Sequence, residues 1–162
     1  MPRHELPALG FHQLTPGDEW ESPGRTVTEA DVVAFAGLSG DFNPIHMDHE
    51  AARRGPFGKP VAHGLLGRAL ASGLAGHAPR VATLAFLGIL EWKFLRPIVP
   101  GDTIRVVSTV EAVEPRSRGR RGLVTWRRRL VNQDGQVVQE GRTQTLVRGP
   151  APPGAGHDPG VD

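Results

Sequence analysis

The sequence has 162 residues but no cysteine and no tyrosine, and its only lysines are Lys59 and Lys93. Without cysteine the chain can form no disulfide and offers no thiolate as a nucleophile or metal ligand. The 19 basic residues, nearly all arginine, exceed the 17 acidic residues by two. The isoelectric point is nevertheless high, because few side chains titrate between neutral pH and the arginine range. Nucleic-acid binding must therefore be judged from arginine clustering.

Long hydrophobic runs are also absent. The longest apolar run, residues 81–90, ends at Glu91 and is far shorter than the about 20 residues that cross a membrane. No apolar signal region follows the first residues, MPRHE, so we expect a cytoplasmic protein with no membrane partner. The length indicates one domain, which we place at residues 1–148. Residues 149–162 are too rich in proline and glycine to bury a core and are predicted to be a disordered tail.

The pattern along the domain predicts helices first and strands afterwards. Thr28 can cap a helix that begins with acidic residues, and residues 63–76 carry leucine and alanine at helical spacing. A short helix is predicted over residues 48–54 and a first strand near Leu9 and Phe11. Apolar or alternating segments then predict four strands, at residues 83–95, 103–113, 122–132 and 136–148. We expect an α+β fold in which a long helix packs on a curved antiparallel meander.

Residues 41–48, DFNPIHMD, contain the residues best suited to catalysis. Asp41 and His46 are five residues apart across an Asn-Pro turn, which can bring a carboxylate and an imidazole to one point. Such a pair can hold and activate a water molecule. The same spacing also fits a structural role, with Asp41 and His46 stabilising the turn and Asp48 capping the next helix.

The segment at residues 39–48 resembles the hydratase signature of the MaoC-like dehydratases, which include the (R)-specific enoyl-CoA hydratases. Residues 57–66 (FGKPVAHGLL) resemble the loop into that family's central helix, and residues 94–102 (FLRPIVPGD) resemble its strand and turn. The resemblance extends over residues 15–148. It implies a single hot-dog fold, an antiparallel sheet wrapped around a long central helix, that assembles as a homodimer or higher homo-oligomer.

The resemblance also implies roles for individual residues. Asp41 and His46 correspond to the catalytic pair, Gly64 supplies the backbone N–H that binds the thioester oxygen, and Ser72 lies near the site. Asn43 and His63 are further candidates for substrate binding. A cap or loop anchor is the alternative role for His63, and a bond back to the helix backbone is the alternative for Ser72.

The implied reaction is addition of water to a trans-2-enoyl thioester of coenzyme A or acyl carrier protein, giving an (R)-3-hydroxyacyl thioester, or the reverse. Asp41 is assigned as base and His46 as its partner, although the exchange of these roles stays open. The alternatives are a hot-dog acyl-CoA thioesterase and a non-catalytic subunit that binds acyl thioesters. The acyl chain length does not follow from the sequence.

Two further patterns bear on partners. His46, Asp48 and His49 are similar to part of a metallo-β-lactamase-like motif, but Pro44 replaces its first histidine, so we predict no metal and no cofactor. Seven arginines lie within residues 116–129. We expect a solvated hairpin there, with an anchor for coenzyme A phosphates or an acidic carrier as the alternative. Because no nucleic-acid-binding motif accompanies the cluster, no nucleic-acid partner is predicted.

Overall fold

The computed structural model describes residues 8–150. These residues form four α-helices, α1 (Glu29–Ser39), α2 (Pro44–Met47), α3 (His49–Arg54) and α4 (Gly64–Ala75), and two 3₁₀ turns, Phe11–Gln13 and Ser117–Gly119. The same residues form six strands, β1 (Glu19–Glu21), β2 (Arg25–Thr26), β3 (Thr83–Phe94), β4 (Thr103–Arg116), β5 (Arg121–Val131) and β6 (Val137–Arg148). The predicted tail lies outside the described residues from residue 151 onward. None of the helices that the structure describes could cross a membrane.

The strands form one antiparallel sheet in the order β1-β4-β5-β6-β3, and β2 pairs with β4. The hairpin between β5 and β6 turns at Gly135, whose φ of 73° requires the left-handed region. Strands β4 to β6 are the predicted meander. The prediction is wrong for β3, which pairs with β6 at the far side of the sheet and not with its neighbour in sequence, β4.

Helix α4 packs its apolar face on the sheet. Leu66, Leu70 and Leu74 recur every four residues and are buried together with Ile104, Val106, Leu130 and Val138 of the strands. Each buried leucine contributes on the order of 1.5–3 kcal/mol. A side chain at Gly67 would overlap Gln139 and Ile98, so glycine allows α4 to lie close to the sheet. This arrangement confirms the predicted α+β class and the hot-dog architecture.

Local capping fixes the helices that precede α4. The Thr28 hydroxyl accepts from the Asp31 N–H at 3.2 Å and begins α1, and Asp48 caps α3 through the N–H groups of Glu50 and Ala51. Both starts agree with the sequence pattern. The predicted first strand is wrong, because Leu9 makes an isolated bridge to Val81 and the next residues form a 3₁₀ turn.

Candidate active site

The turn between α1 and α2 places Asp41 and His46. Helix α1 ends at Gly40, whose φ of 77° terminates the helix in the left-handed region. Asp41 Oδ1 then accepts from the Asn43 N–H at 3.2 Å, and Asn43 Oδ1 accepts from the Ile45 N–H at 3.1 Å. Asn43 is thus the cap of α2, a structural role for a residue expected to bind substrate. These bonds hold Asp41 and His46 at the two ends of one short turn.

The two side chains of the predicted pair lie close together but do not bond directly. His46 Nε2 is 3.9 Å from Asp41 Oδ2, and 13% of the His46 side chain is exposed against 52% for Asp41. His46 Nδ1 lies 2.7 Å from the Val61 carbonyl oxygen. Because a carbonyl only accepts, Nδ1 carries a hydrogen in either charge state of the ring. Nε2 is therefore the nitrogen that can gain or lose a proton beside Asp41.

The 3.9 Å gap has the dimensions of a site for one water molecule. It exceeds a hydrogen-bond length, whereas a water oxygen about 2.8 Å from each atom spans it. A water at that position would donate to Asp41 Oδ2 and bond to His46 Nε2. The geometry matches a carboxylate and an imidazole that share a reacting water.

His63 contacts both members of this pair. Its ring stacks on His46 at 3.8 Å between centroids, and its Nε2 lies 2.8 Å from the Asp41 carbonyl oxygen. His63 is 2% exposed, and the Phe35 ring packs against it at 5.1 Å between centroids. These contacts favour the anchoring role that the sequence left open. The position of His63 against His46, 17 residues away, could not be inferred from spacing.

Asp41, His46 and His63 each direct one potential metal ligand into a space where these atoms lie within 4.8 Å of one another. The donor types would suit zinc or iron. The ring planes, however, are stacked 3.8 Å apart and inclined by only 27°. A metal ion must lie near the plane of each ligating ring, about 2.0–2.1 Å from its nitrogen. This stacking disfavours one ion shared by both histidines.

Gly64 lies at the N-terminus of α4, next to the pair. No side chain caps this helix, and no hydrogen bond within residues 8–150 uses the Gly64 N–H. The N–H is therefore free to bind an anion at the positive end of the helix dipole. A side chain at Gly64 would meet the Phe94 ring at 2.9 Å, which explains the glycine.

An open groove of about 370 Å³ joins His46 to this helix end. His46, Gly64, Phe57 and Phe94 line it, together with Gln139 of β6. The Gln139 amide donates to the Gly64 carbonyl at 3.0 Å and accepts from the Trp92 indole at 3.0 Å. Gln139 is 2% exposed, so it fixes the first turn of α4 from within the core. Sequence reasoning missed it, although an uncharged polar side chain among buried strand positions was the available signal.

Ser72 is not brought together with the other candidates. It lies eight residues after Gly64 on α4, about 12 Å along the helix axis. There it lines a second cavity with Arg68 and Arg128. The structure thus brings Asp41, His46 and His63 together, places His46 and Gly64 on one groove, and leaves Ser72 at a separate place.

The family model for the MaoC like domain matches residues 12–130. The chain belongs to the MaoC-like family. It is 32% identical over 127 residues to the (R)-specific enoyl-CoA hydratase of Rhodospirillum rubrum, covering 78% of this chain and 83% of that protein. It is 44% identical over 96 residues to Protein MaoC of Klebsiella aerogenes, covering 59% of this chain but only 29% of that longer protein.

A solved structure supports the same assignment for the fold. The crystal structure of the MaoC-like dehydratase from Rhodospirillum rubrum superposes with a TM-score of 0.78 at 32% identity, covering 89% of this chain and 99% of that one. The family resemblance stated from residues 39–48, 57–66 and 94–102 is therefore confirmed for this MaoC-like chain.

Proposed function

We propose that this MaoC-like protein hydrates trans-2-enoyl thioesters to (R)-3-hydroxyacyl thioesters, and runs the reverse dehydration at the same site. The observation that carries the proposal is that His46, which lies 3.9 Å from Asp41, lines one groove together with Gly64. A water-activating pair and an oxyanion donor are the two elements that this addition requires. Relatives named as hydratases support the proposal.

In the proposed reaction Asp41 is a carboxylate and His46 carries a proton on Nε2. The bound water attacks the β carbon of the enoyl group while its proton passes to Asp41 Oδ2. The electron pair of the double bond moves through the α carbon to the thioester oxygen, which the Gly64 N–H stabilises. The α carbon then takes the proton from His46 Nε2. Return of the proton from Asp41 to His46 restores the site.

The thioester of the proposed substrate is formed with coenzyme A or with acyl carrier protein. No metal or cofactor takes part in the proposed reaction. The predicted location is the cytoplasm. Reaction with crotonyl-CoA tests the activity. We expect the absorbance of the conjugated enoyl thioester to fall without release of thiol, and chiral analysis to give the (R) product. Release of coenzyme A thiol would indicate a thioesterase, and binding without either change would indicate a non-catalytic subunit.

We further propose that the protein is a homodimer that pairs through β3. This strand is at the edge of the sheet, yet it and the next residue expose large apolar side chains at Leu84, Phe86, Leu87, Ile89, Leu90, Phe94 and Leu95. Such an edge in water favours pairing with another chain. A second copy is the proposed occupant because β3 borders the groove at Phe94, so the copy would also close the site.

A charge on β3 should separate the subunits. Leu87→Glu places a carboxylate within the apolar strip, and we expect sedimentation to change from dimer to monomer at micromolar concentration. Leu38→Glu is the matched control, because Leu38 on α1 is 83% exposed and the same change there should leave the dimer intact. A wild-type protein that sediments as a monomer, or a dimeric Leu87→Glu variant, would contradict the proposed interface.

A further inference from the structure

A second cavity, of about 280 Å³, lies between α4 and the sheet. Its wall holds two guanidinium groups, of Arg68 and Arg128, and the aromatic rings of Phe86, Trp92 and Trp126. No carboxylate lines it. Positive charge and apolar surface are thus combined in one partly open cavity of the described chain without an internal counter-ion.

Stacking holds both guanidinium groups in place. Arg68 lies over the Trp92 ring at 4.4 Å and near Phe86 at 5.6 Å, and Arg128 lies over Trp126 at 4.4 Å. Arg128 also donates to the Ser108 hydroxyl across the strands. Planar guanidinium groups fixed in this way are preorganised for the two-pronged recognition of a carboxylate.

The electrostatics of the cavity favour an anion. Within residues 8–150 neither Arg68 nor Arg128 has an acidic partner, whereas Arg105, Arg116, Arg127, Arg129 and Arg142 all do. Burial and the nearby charge of Arg68 lower the pKa of Arg128 to about 10. Arg68 Nε and the Thr143 hydroxyl, both at this cavity, are buried without a hydrogen-bond partner. A carboxylate would offset the repulsion and satisfy donors that are otherwise unpaired.

One face of α4 connects this cavity to the proposed oxyanion donor. Gly64, Arg68 and Ser72 are spaced by four residues and therefore lie along one stripe of the helix. Arg68 is about 6 Å beyond Gly64 along the axis. Strand β3 runs beside this stripe, since Phe94 faces Gly64 and Trp92 faces Arg68. A chain attached to a thioester at Gly64 can follow this apolar wall to the guanidinium groups.

We propose that the cavity binds a carboxylate carried on an apolar chain, and that this chain is the acyl group of the substrate. The substrate class is then the trans-2-enoyl monothioester of a dicarboxylic acid. The inference rests on the proposed hydration of enoyl thioesters and specifies its substrate. Arg68 and Arg128 recognise the distal carboxylate, while Phe86 and Trp92 contact the methylene groups.

The test compares trans-2-hexenedioyl-CoA, which ends in a carboxylate, with trans-2-hexenoyl-CoA, which ends in a methyl group. The readout is the ratio of kcat/KM for the two substrates on one preparation, so the fraction of folded protein and the shared coenzyme A cancel. We expect the wild type to favour the dicarboxylic substrate. Arg68→Gln and Arg128→Gln should each lower the ratio about ten- to a hundredfold, the range for hydrogen bonds to a charged group.

Arg127→Gln is the matched control. It is the same change on the same strand, but Arg127 faces away from the cavity and pairs with Glu140, so the ratio should stay at the wild-type value. The proposal would be overturned if the wild type preferred the hexenoyl substrate. It would also be overturned if Arg68→Gln and Arg128→Gln both kept the ratio within twofold of the wild-type value.

Binding of free adipate distinguishes a site for a free dicarboxylate from a site for the acyl chain of the substrate. Adipate that raises the melting temperature of the wild type, but not of Arg128→Gln, supports the anion site even if no thioester is hydrated. If adipate stabilises the wild type but the cavity variants keep the wild-type ratio of kcat/KM, the site binds a free dicarboxylate. The proposal that it binds the acyl chain of the substrate would then be overturned. If the protein hydrates hexenoyl-CoA but shows neither stabilisation by adipate nor a change in the ratio, the proposed anion site would be wrong. The proposed hydratase function would be unaffected.

Discussion

Asp41→Asn and His46→Gln should each lower the hydration of crotonyl-CoA by at least about a hundredfold, because positioned acid–base groups contribute about 10²–10⁴ each. Asparagine can still accept the bond from the Asn43 N–H that holds the turn, but it cannot take a proton from water. Glutamine at position 46 keeps a polar side chain and removes the ring that donates the proton in the proposed reaction. The double variant should lose little more than the worse single variant, since the two groups act on one water.

Two matched control variants lie in the same segment. Asp48→Asn makes the same change at the cap of α3, where asparagine is equally suitable, and His49→Gln changes an exposed histidine that faces Glu29. Both should keep near wild-type turnover. Melting temperature and thioester binding check that the site variants stay folded. Wild-type turnover in both site variants would exclude the assigned pair, and loss through unfolding alone would favour a purely structural turn.

The features that the sequence predicted are those decided by neighbours in the chain. Thr28 and Asp48 cap helices within three residues of themselves, and the leucines of α4 lie at helical spacing, so each signal is local. The pair of Asp41 and His46 is local in the same sense, because one turn of backbone brings the two side chains within 3.9 Å.

The features that escaped prediction depend on contacts between distant segments. β3 pairs with β6 at the far edge of the sheet, although β4 is the next strand in the sequence. The stacking of His63 on His46 and the bond from Gln139 to the Gly64 carbonyl likewise require the finished fold. In the same way, only packing brings Arg68 of α4 and Arg128 of β5 to one cavity.

Gly64→Pro should lower turnover of crotonyl-CoA about a hundred- to a thousandfold, the usual effect of removing one oxyanion donor. Proline has no N–H, so the change deletes the donor that we assign to the thioester oxygen. The first position of a helix tolerates proline, and the preceding residue already has the extended conformation that proline requires, with φ −55° and ψ 134° at His63. Helix α4 should therefore form in this variant.

Steric effects at Gly64 require their own control, because any Cβ there approaches the Phe94 ring at 2.9 Å. Gly64→Ala introduces that Cβ and retains the N–H, so its loss of activity measures the displacement of Phe94 alone. The difference in kcat between the alanine and proline variants then reports the donor. Equal kcat values would show that crowding against Phe94 explains the loss and that the thioester oxygen is stabilised elsewhere. A larger loss in kcat for proline, at similar KM, is the result expected of a donor that acts mainly in the transition state.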